Sequence, residues 1–162
     1  LVMDVPTSGS VAELRKAGFT DTIAEIAPDI ELITIATEFN REAGLNDMTA
    51  ALTANEKIDA VFSMDDETSM GALQAIVEAN RTDVKAITGG GGCQAYFNLM
   101  NEEKYQNIWV CSATYLPNMI INCVENAAAI LNGETVEHEI VLESSIVDRE
   151  NVQDFLNADS PY

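Results

Sequence analysis

Alternating strand-like and helix-like segments predict an α/β fold for this chain, a parallel sheet flanked by helices rather than a bundle or a sandwich. Two further observations support that class. The run Asp59-Ala-Val-Phe-Ser-Met64 has the length and apolar character of a buried strand, stops abruptly at Asp65-Asp66-Glu67, and gives way to a helical segment that contains the small residues Gly71 and Ala72. The length, 162 residues, suits one domain with a buried core.

Leu1 to Val5 is the first strand, and Pro6-Thr7-Ser8-Gly9-Ser10 the loop after it. A serine cap then opens a helix whose apolar side is Val11, Leu14, Phe19, Ile23 and Ile26, ending at Pro28-Asp29. Glu31 to Ala36 is the second strand, Asn40 to Asn55 a helix carrying Leu45, Met48 and Leu52, and Ala60 to Met64 the third strand. The helix from Glu67 to Asn80 turns Met70, Leu73, Ile76 and Val77 inward. Val84 to Thr88 is the fourth strand, running into Gly89-Gly90-Gly91-Gly92. A helix from Gln94 to about Met100, a strand from Ile108 to Ala113 and a long helix from Pro117 to Leu131 follow, with Pro117 suited to its first turn and Gly133 to its stop. Glu137 to Leu142 is strand-like and Ile146 to Leu156 a short tail.

Three consecutive carboxylates at the C-terminal end of a strand mark the edge of an open sheet where ligands bind. The alternative for Asp65 or Asp66 is a helix cap, its carboxylate accepting backbone N–H bonds. The glycine run is either a turn that needs positive φ or a place where a ligand or backbone approaches closely. It is not a phosphate loop, because Cys93-Gln94 follows it where a Gly-Lys-Ser/Thr sequence is required.

Composition narrows the function. With 27 acidic against 8 basic residues the formal charge is −19, which repels phosphate backbones and argues against nucleic acid as a partner. The mean hydropathy of +0.01 is that of a soluble folded chain, and no apolar run approaches the roughly 18 residues of a membrane span. Cys93, Cys111 and Cys123 lack CxxC spacing and read as structural thiols; the single histidine, His138, has no second histidine for a metal pair. No metal, cofactor or catalytic constellation is therefore expected, since no serine or cysteine has a histidine plausibly beside it and adjacent aspartates alone do not make a glycosidase. The opening Leu-Val-Met-Asp-Val is a strand, which suggests an excised piece.

Five stretches in one register resemble the type I periplasmic sugar-binding proteins, particularly the ribose-binding kind that serve ABC transporters. They are Ser10 to Phe19, Glu38-Phe39-Asn40 with Gly44 to Met48, Ala60 to Glu67 with Gly71-Ala72, Tyr115-Leu116-Pro117, and Leu131-Asn-Gly133-Glu134. The resemblance implies the C-terminal lobe of a two-lobed clamp. Residues 1–115 plus 144–162 would form that lobe, and residues 116–143 would belong to an absent N-terminal lobe. The apolar faces of the latter segment then require the missing lobe or a second copy of the chain.

The resemblance also implies a site. Arg15 matches a sugar-binding arginine, whose planar fork suits adjacent hydroxyls; read without the resemblance, such a position is more often a surface or salt-bridging arginine. Phe39 matches a ring-stacking position, with core packing as the alternative. Asp65 matches a carboxylate or carboxamide that accepts hydroxyl hydrogens, and Tyr115 either a polar hinge residue or simple hinge packing. Gly90 stands where ribose binders carry an aspartate, so the vacated volume leaves room for a larger ligand, with backbone N–H groups or Gln94 taking over the polar contact. The implied function is extracytoplasmic binding of a monosaccharide or polyol for a membrane permease, in the periplasm or outside the cell, with or without a lipid anchor. The alternative is the effector-binding domain of a lactose-repressor-like regulator, against which stand the acidic balance and the tail Val147 to Val152. A nucleotide-using Rossmann enzyme is disfavoured by the missing phosphate fingerprint.

Overall fold

The computed structural model describes residues 1–115 and 119–160 of the chain. Its elements are β1 (Val2–Asp4), α1 (Ser10–Ile26), β2 (Thr34–Ala36), α2 (Arg41–Ala54), β3 (Ala60–Ser63), α3 (Asp66–Glu78), β4 (Ala86–Gly91), α4 (Gln94–Met100), β5 (Trp109–Thr114), α5 (Met119–Leu131) and β6 (Ile146–Val147). One sheet takes all six strands in the order β2-β1-β3-β4-β5-β6. The first five are parallel, and β6 runs antiparallel to β5 with Ala113 opposite Ile146. This confirms the α/β class read from the alternation.

Right-handed crossovers dictate where the helices go: moving outward from β1 to β2 and then back through β3, β4 and β5 puts α1 on one face and α2, α3 and α4 on the other. The α2–α3 pair is the tightest helix contact. Gly44 lies against the backbone of Thr68 and Gly71 against the backbone of Arg41 and Leu45, so a side chain at either would strike the opposite helix. Between these helices and the sheet sit the fully buried Met3, Met48, Leu73, Ile76, Ile87, Tyr96, Phe97 and Met100. The tail closes one end of this core. Val147 and Val152 are fully buried, and the guanidinium of Arg149 donates to the carbonyls of Met100, Tyr105 and Ile108 at 2.6–2.8 Å.

The opposite face is thinly covered. Phe19 of α1 stacks on Phe62 of β3 with centroids 4.1 Å apart, but Val11, Leu14 and Ile26 are exposed, and Ala12 is the helix's one buried residue. The apolar side expected for α1 is thus present but only partly used. Its start also differs from expectation: Gly9 holds the cap position without a side chain, and the Ser8 hydroxyl accepts the N–H of Ala12 at 3.1 Å.

Two other expectations need correction. The fourth strand does not stop at Thr88. Gly89, Gly90 and Gly91 continue it, paired with Ser112, Ala113 and Thr114, because a glycine backbone serves the ladder as well as any other and positive φ begins only at Gly91 (134°) and Gly92 (94°). Residues 137–142 form no strand; the last strand is Ile146–Val147. Helix α5 has no buried residue, leaving Ile120, Ile121, Val124, Ile130 and Leu131 exposed, and Cys123 lies exposed on it while Cys93 and Cys111 are buried. The expected place of Pro117 in the first turn of this helix lies outside the described residues.

Asp66 ties the sheet edge together. One carboxylate oxygen accepts the N–H groups of Gly92 and Cys93, both at 2.8 Å, and the other accepts the Ser112 hydroxyl at 2.7 Å. Burial nevertheless raises its proton affinity above the ordinary carboxylate value of 3.8, outweighing these three donors, and Asp65 next to it also exerts a charge that raises it. Asp65 is raised as well, again mainly by burial.

Two measurements follow from this. Asp66→Ala strands two buried N–H groups and a hydroxyl, and is expected to lower unfolding free energy in a urea titration by about 3 kcal/mol. Because Asp65 and Asp66 hold protons more tightly folded than unfolded, the folded state binds more protons above pH 3.8, and stability falls as pH rises through the folded values. Asp83 runs the other way, since Arg81 beside it lowers its proton affinity and its contribution is lost only as pH falls below that ordinary value. The melting temperature should therefore rise as pH falls from neutral toward the ordinary carboxylate value of 3.8, and Asp66→Asn should flatten that slope.

Candidate functional site

The C-terminal ends of β3, β4 and β5 open into a cavity of about 320 Å³, lined among others by Arg15, Met64, Gly90, Tyr115, Glu143 and Ser144. That volume is at the small end of ligand sites. Arg15 comes from the second turn of α1, which follows β1 and so passes beside the end of β3. Its Nη1 donates to the Met64 carbonyl at 2.7 Å, and its guanidinium carbon lies 4.9 Å from the centre of the Tyr115 ring. No salt bridge engages it among the described residues. The fork is thus fixed on one donor and one face, and its remaining N–H groups are available to a ligand.

The floor is bare backbone. A Cβ on Gly90 would stand 2.7 Å from the Met64 carbonyl oxygen, the same oxygen that holds Arg15, and one on Gly89 would meet the Tyr96 ring at 2.7 Å. No side chain rises from β4 at this level. On the far wall, the chain returning toward β6 is strapped to the end of β5: Thr114 N–H donates to the Ser145 carbonyl at 2.9 Å, the Ser145 N–H to the Thr114 hydroxyl at 3.0 Å, and the Ser144 hydroxyl to the Thr114 carbonyl at 2.8 Å. This strap brings Glu143 to the cavity.

Of the residues expected at the site, the cavity gathers Arg15, Gly90 and Tyr115. Asp65 sits just behind it as the cap of α3, with Oδ1 accepting the Thr68 N–H at 3.0 Å; Oδ2 is buried and has no hydrogen-bond partner among the described residues. The cap reading of Asp65 is realised, and the Arg15 charge reaches it without overcoming its burial. Phe39 lies beyond the end of β2, 37% exposed and outside the lining of this cavity. Gln94 is turned elsewhere: its Nε2 donates to the Phe155 carbonyl at 3.0 Å and its Oε1 accepts the Asn157 N–H at 2.8 Å. Both ends of its amide are occupied by the tail, so it does not replace a carboxylate above Gly90.

Sequence reasoning missed Glu143, Ser144 and Phe62 as lining residues. The crossing near Glu143-Ser144 was the available signal, because a segment that returns to a strand's C-terminal end must pass the ligand edge. Chemically, the cavity offers a cationic fork, an aromatic ring, uncovered backbone and one carboxylate, a set suited to a small polyhydroxylated molecule. Among the described residues no three His, Cys, Asp or Glu side chains are grouped to hold a metal ion.

Comparison with known proteins places this geometry. The family described as "Periplasmic binding protein domain" matches residues 1–135. The ribose import binding protein RbsB of Escherichia coli (strain K12) is 31% identical over 139 residues, which are 85% of this chain and 45% of that protein. The xylitol-binding protein of Mycolicibacterium smegmatis is 26% identical over 157 residues, 94% of this chain and 43% of that protein. The chain spans about half the length of the curated relatives it matches. A solved ABC transporter periplasmic solute-binding protein from Actinobacillus succinogenes 130z, with bound D-allose, superposes with a TM-score of 0.84 at 22% identity, over 94% of this chain and 53% of that one. At that identity the likeness is one of fold.

The close approach at the floor gives a direct test. Gly90→Ala pushes a methyl group into the Met64 carbonyl, and is expected to cost about 1–3 kcal/mol in chemical denaturation.

Proposed function

Because the chain belongs to the family of periplasmic binding protein domains, we propose that it is the C-terminal lobe of a two-lobed receptor that captures a monosaccharide or polyol and delivers it to the permease of an ABC transporter. Residues 1–115 and 144–162 form this lobe, and residues 116–143 belong to the opposite one. The lobe division is supported by Arg149, which fastens the tail to the core, and by α5, whose apolar residues find no cover among the described residues. The receptor works outside the cytoplasm, in the periplasm or at the outer surface of the membrane, with or without a lipid anchor.

The observation that carries this reading is the cavity at the ends of β3, β4 and β5, where an arginine held by a backbone carbonyl stands over glycines and against an aromatic ring. Arg15 donates to ligand oxygens, Tyr115 packs beside it, and the Gly90 floor admits the body of the ligand. Phe39 supplies a stacking face from the rim on closure of the clamp, while Asp65 stays behind the cavity as the cap that fixes the start of α3. The relatives named for ribose and xylitol support this ligand class, while Gly90 leaves a different outline from that of a ribose binder. No observation favours the repressor-type alternative.

Half of a clamp makes half of the contacts. The chain by itself is expected to bind D-ribose, D-allose or xylitol with dissociation constants on the order of 1 mM or weaker, measured by NMR titration. The amide shifts should cluster at Arg15, Gly90 and Tyr115 and vanish in Arg15→Ala. Shifts that map elsewhere, or that survive loss of the arginine, would remove the basis of the reading.

A further inference from the structure

Resting on the carbohydrate reading of this cavity, we infer that Glu143 is a ligand-contacting, specificity-determining residue, the acceptor that selects a neutral polyhydroxylated ligand over an anionic one. A sugar hydroxyl both donates and accepts, so a site that binds it well needs acceptors as well as donors. Arg15 provides donors alone. Behind the cavity, Asp65 has given Oδ1 to the Thr68 N–H, and its other oxygen is buried outside the lining. The floor provides no carboxylate, because a Cβ on Gly90 would collide with the Met64 carbonyl, and Gln94 is bound at both ends by the tail.

Among the described residues, Glu143 is the one acidic residue in the cavity lining and Arg15 the one basic residue. Its carboxylate makes no hydrogen bond or ion pair among the described residues, and its backbone is placed by the strap that joins Ser144 and Ser145 to Thr114. Structure therefore gives it no other partner. The two charges face one cavity, so hydroxyl hydrogens go to Glu143 and hydroxyl oxygens to Arg15. A uronic acid or sugar phosphate would gain the arginine but meet the glutamate, on a chain that already carries a formal charge of −19.

The test is an NMR titration of the chain and its variants with D-xylose and xylitol as neutral probes and D-glucuronate as the anionic one. Glu143 is exposed and unpartnered, so Glu143→Gln should keep the unliganded spectrum. It is expected to weaken the neutral probes about tenfold, in line with loss of a charged hydrogen bond, and to strengthen D-glucuronate. Neutral binding that Arg15→Ala removes and Glu143→Gln leaves unchanged overturns the role of Glu143 while leaving the carbohydrate reading intact. D-Glucuronate binding more tightly than the neutral probes to the unmodified chain overturns the selection for neutral ligands. If none of the probes shifts Arg15 or Tyr115, both readings fall together.

Discussion

The carboxylate of Asp66 holds this structure's working edge in place. It stands at the first turn of α3, reaches across the sheet to accept two N–H groups where β4 turns into α4, and takes the hydroxyl of Ser112 in β5. Three neighbouring strand ends are thereby joined through one buried group. Their relative positions decide the cavity: Met64 ends the strand before Asp66, Gly90 lies in the strand that it caps, and Thr114 follows Ser112 on the strand that it braces. A charge buried this deeply is tolerated because three donors meet it, and its raised proton affinity records what burial still costs.

From that frame the chemistry of the cavity is a matter of which backbone is left uncovered. The Met64 carbonyl is the hinge point, since it receives Arg15 on one side and forbids a side chain on Gly90 from the other. An arginine so held loses little freedom when a ligand arrives, which favours binding through preorganisation. The absence of a floor carboxylate then moves the acceptor role to the walls. The electrostatic balance within the cavity is close to neutral despite the strongly acidic chain, with one basic and one acidic side chain in the lining.

The surface tells of incomplete burial. One face of the sheet carries a full layer of helices packed through Gly44 and Gly71, whereas α1 covers the other face alone and leaves an apolar groove bordered by Leu1, Phe19, Ile23 and Phe62. Parallel sheets are normally covered on both faces. The bare apolar side of α5 is a second uncovered surface among the described residues.

Much of the fold was legible because it depends on local rules. Alternation of apolar runs gave the α/β class, Asn40 and Asp65 marked the starts of α2 and α3 as their side chains do in capping Ala43 and Thr68, and a strand ending in carboxylates marked the edge where the cavity opens. What local rules miss is set by neighbours distant in sequence. A run of four glycines is indistinguishable from a turn until β5 pairs with it, and residues 137–142, strand-like in sequence, pair with no strand among the described residues. Gln94 and Glu143 make the same point at the site: both are polar residues near the ligand edge, but the tail claims one and the strap at Thr114 delivers the other to the cavity. Sequence by itself determined the architecture and the sheet edge at which the cavity opens, since periodicity and capping act over a few residues. Only the tertiary structure decided which side chains share the cavity, because that depends on contacts between segments as far apart as Arg15, Met64 and Glu143.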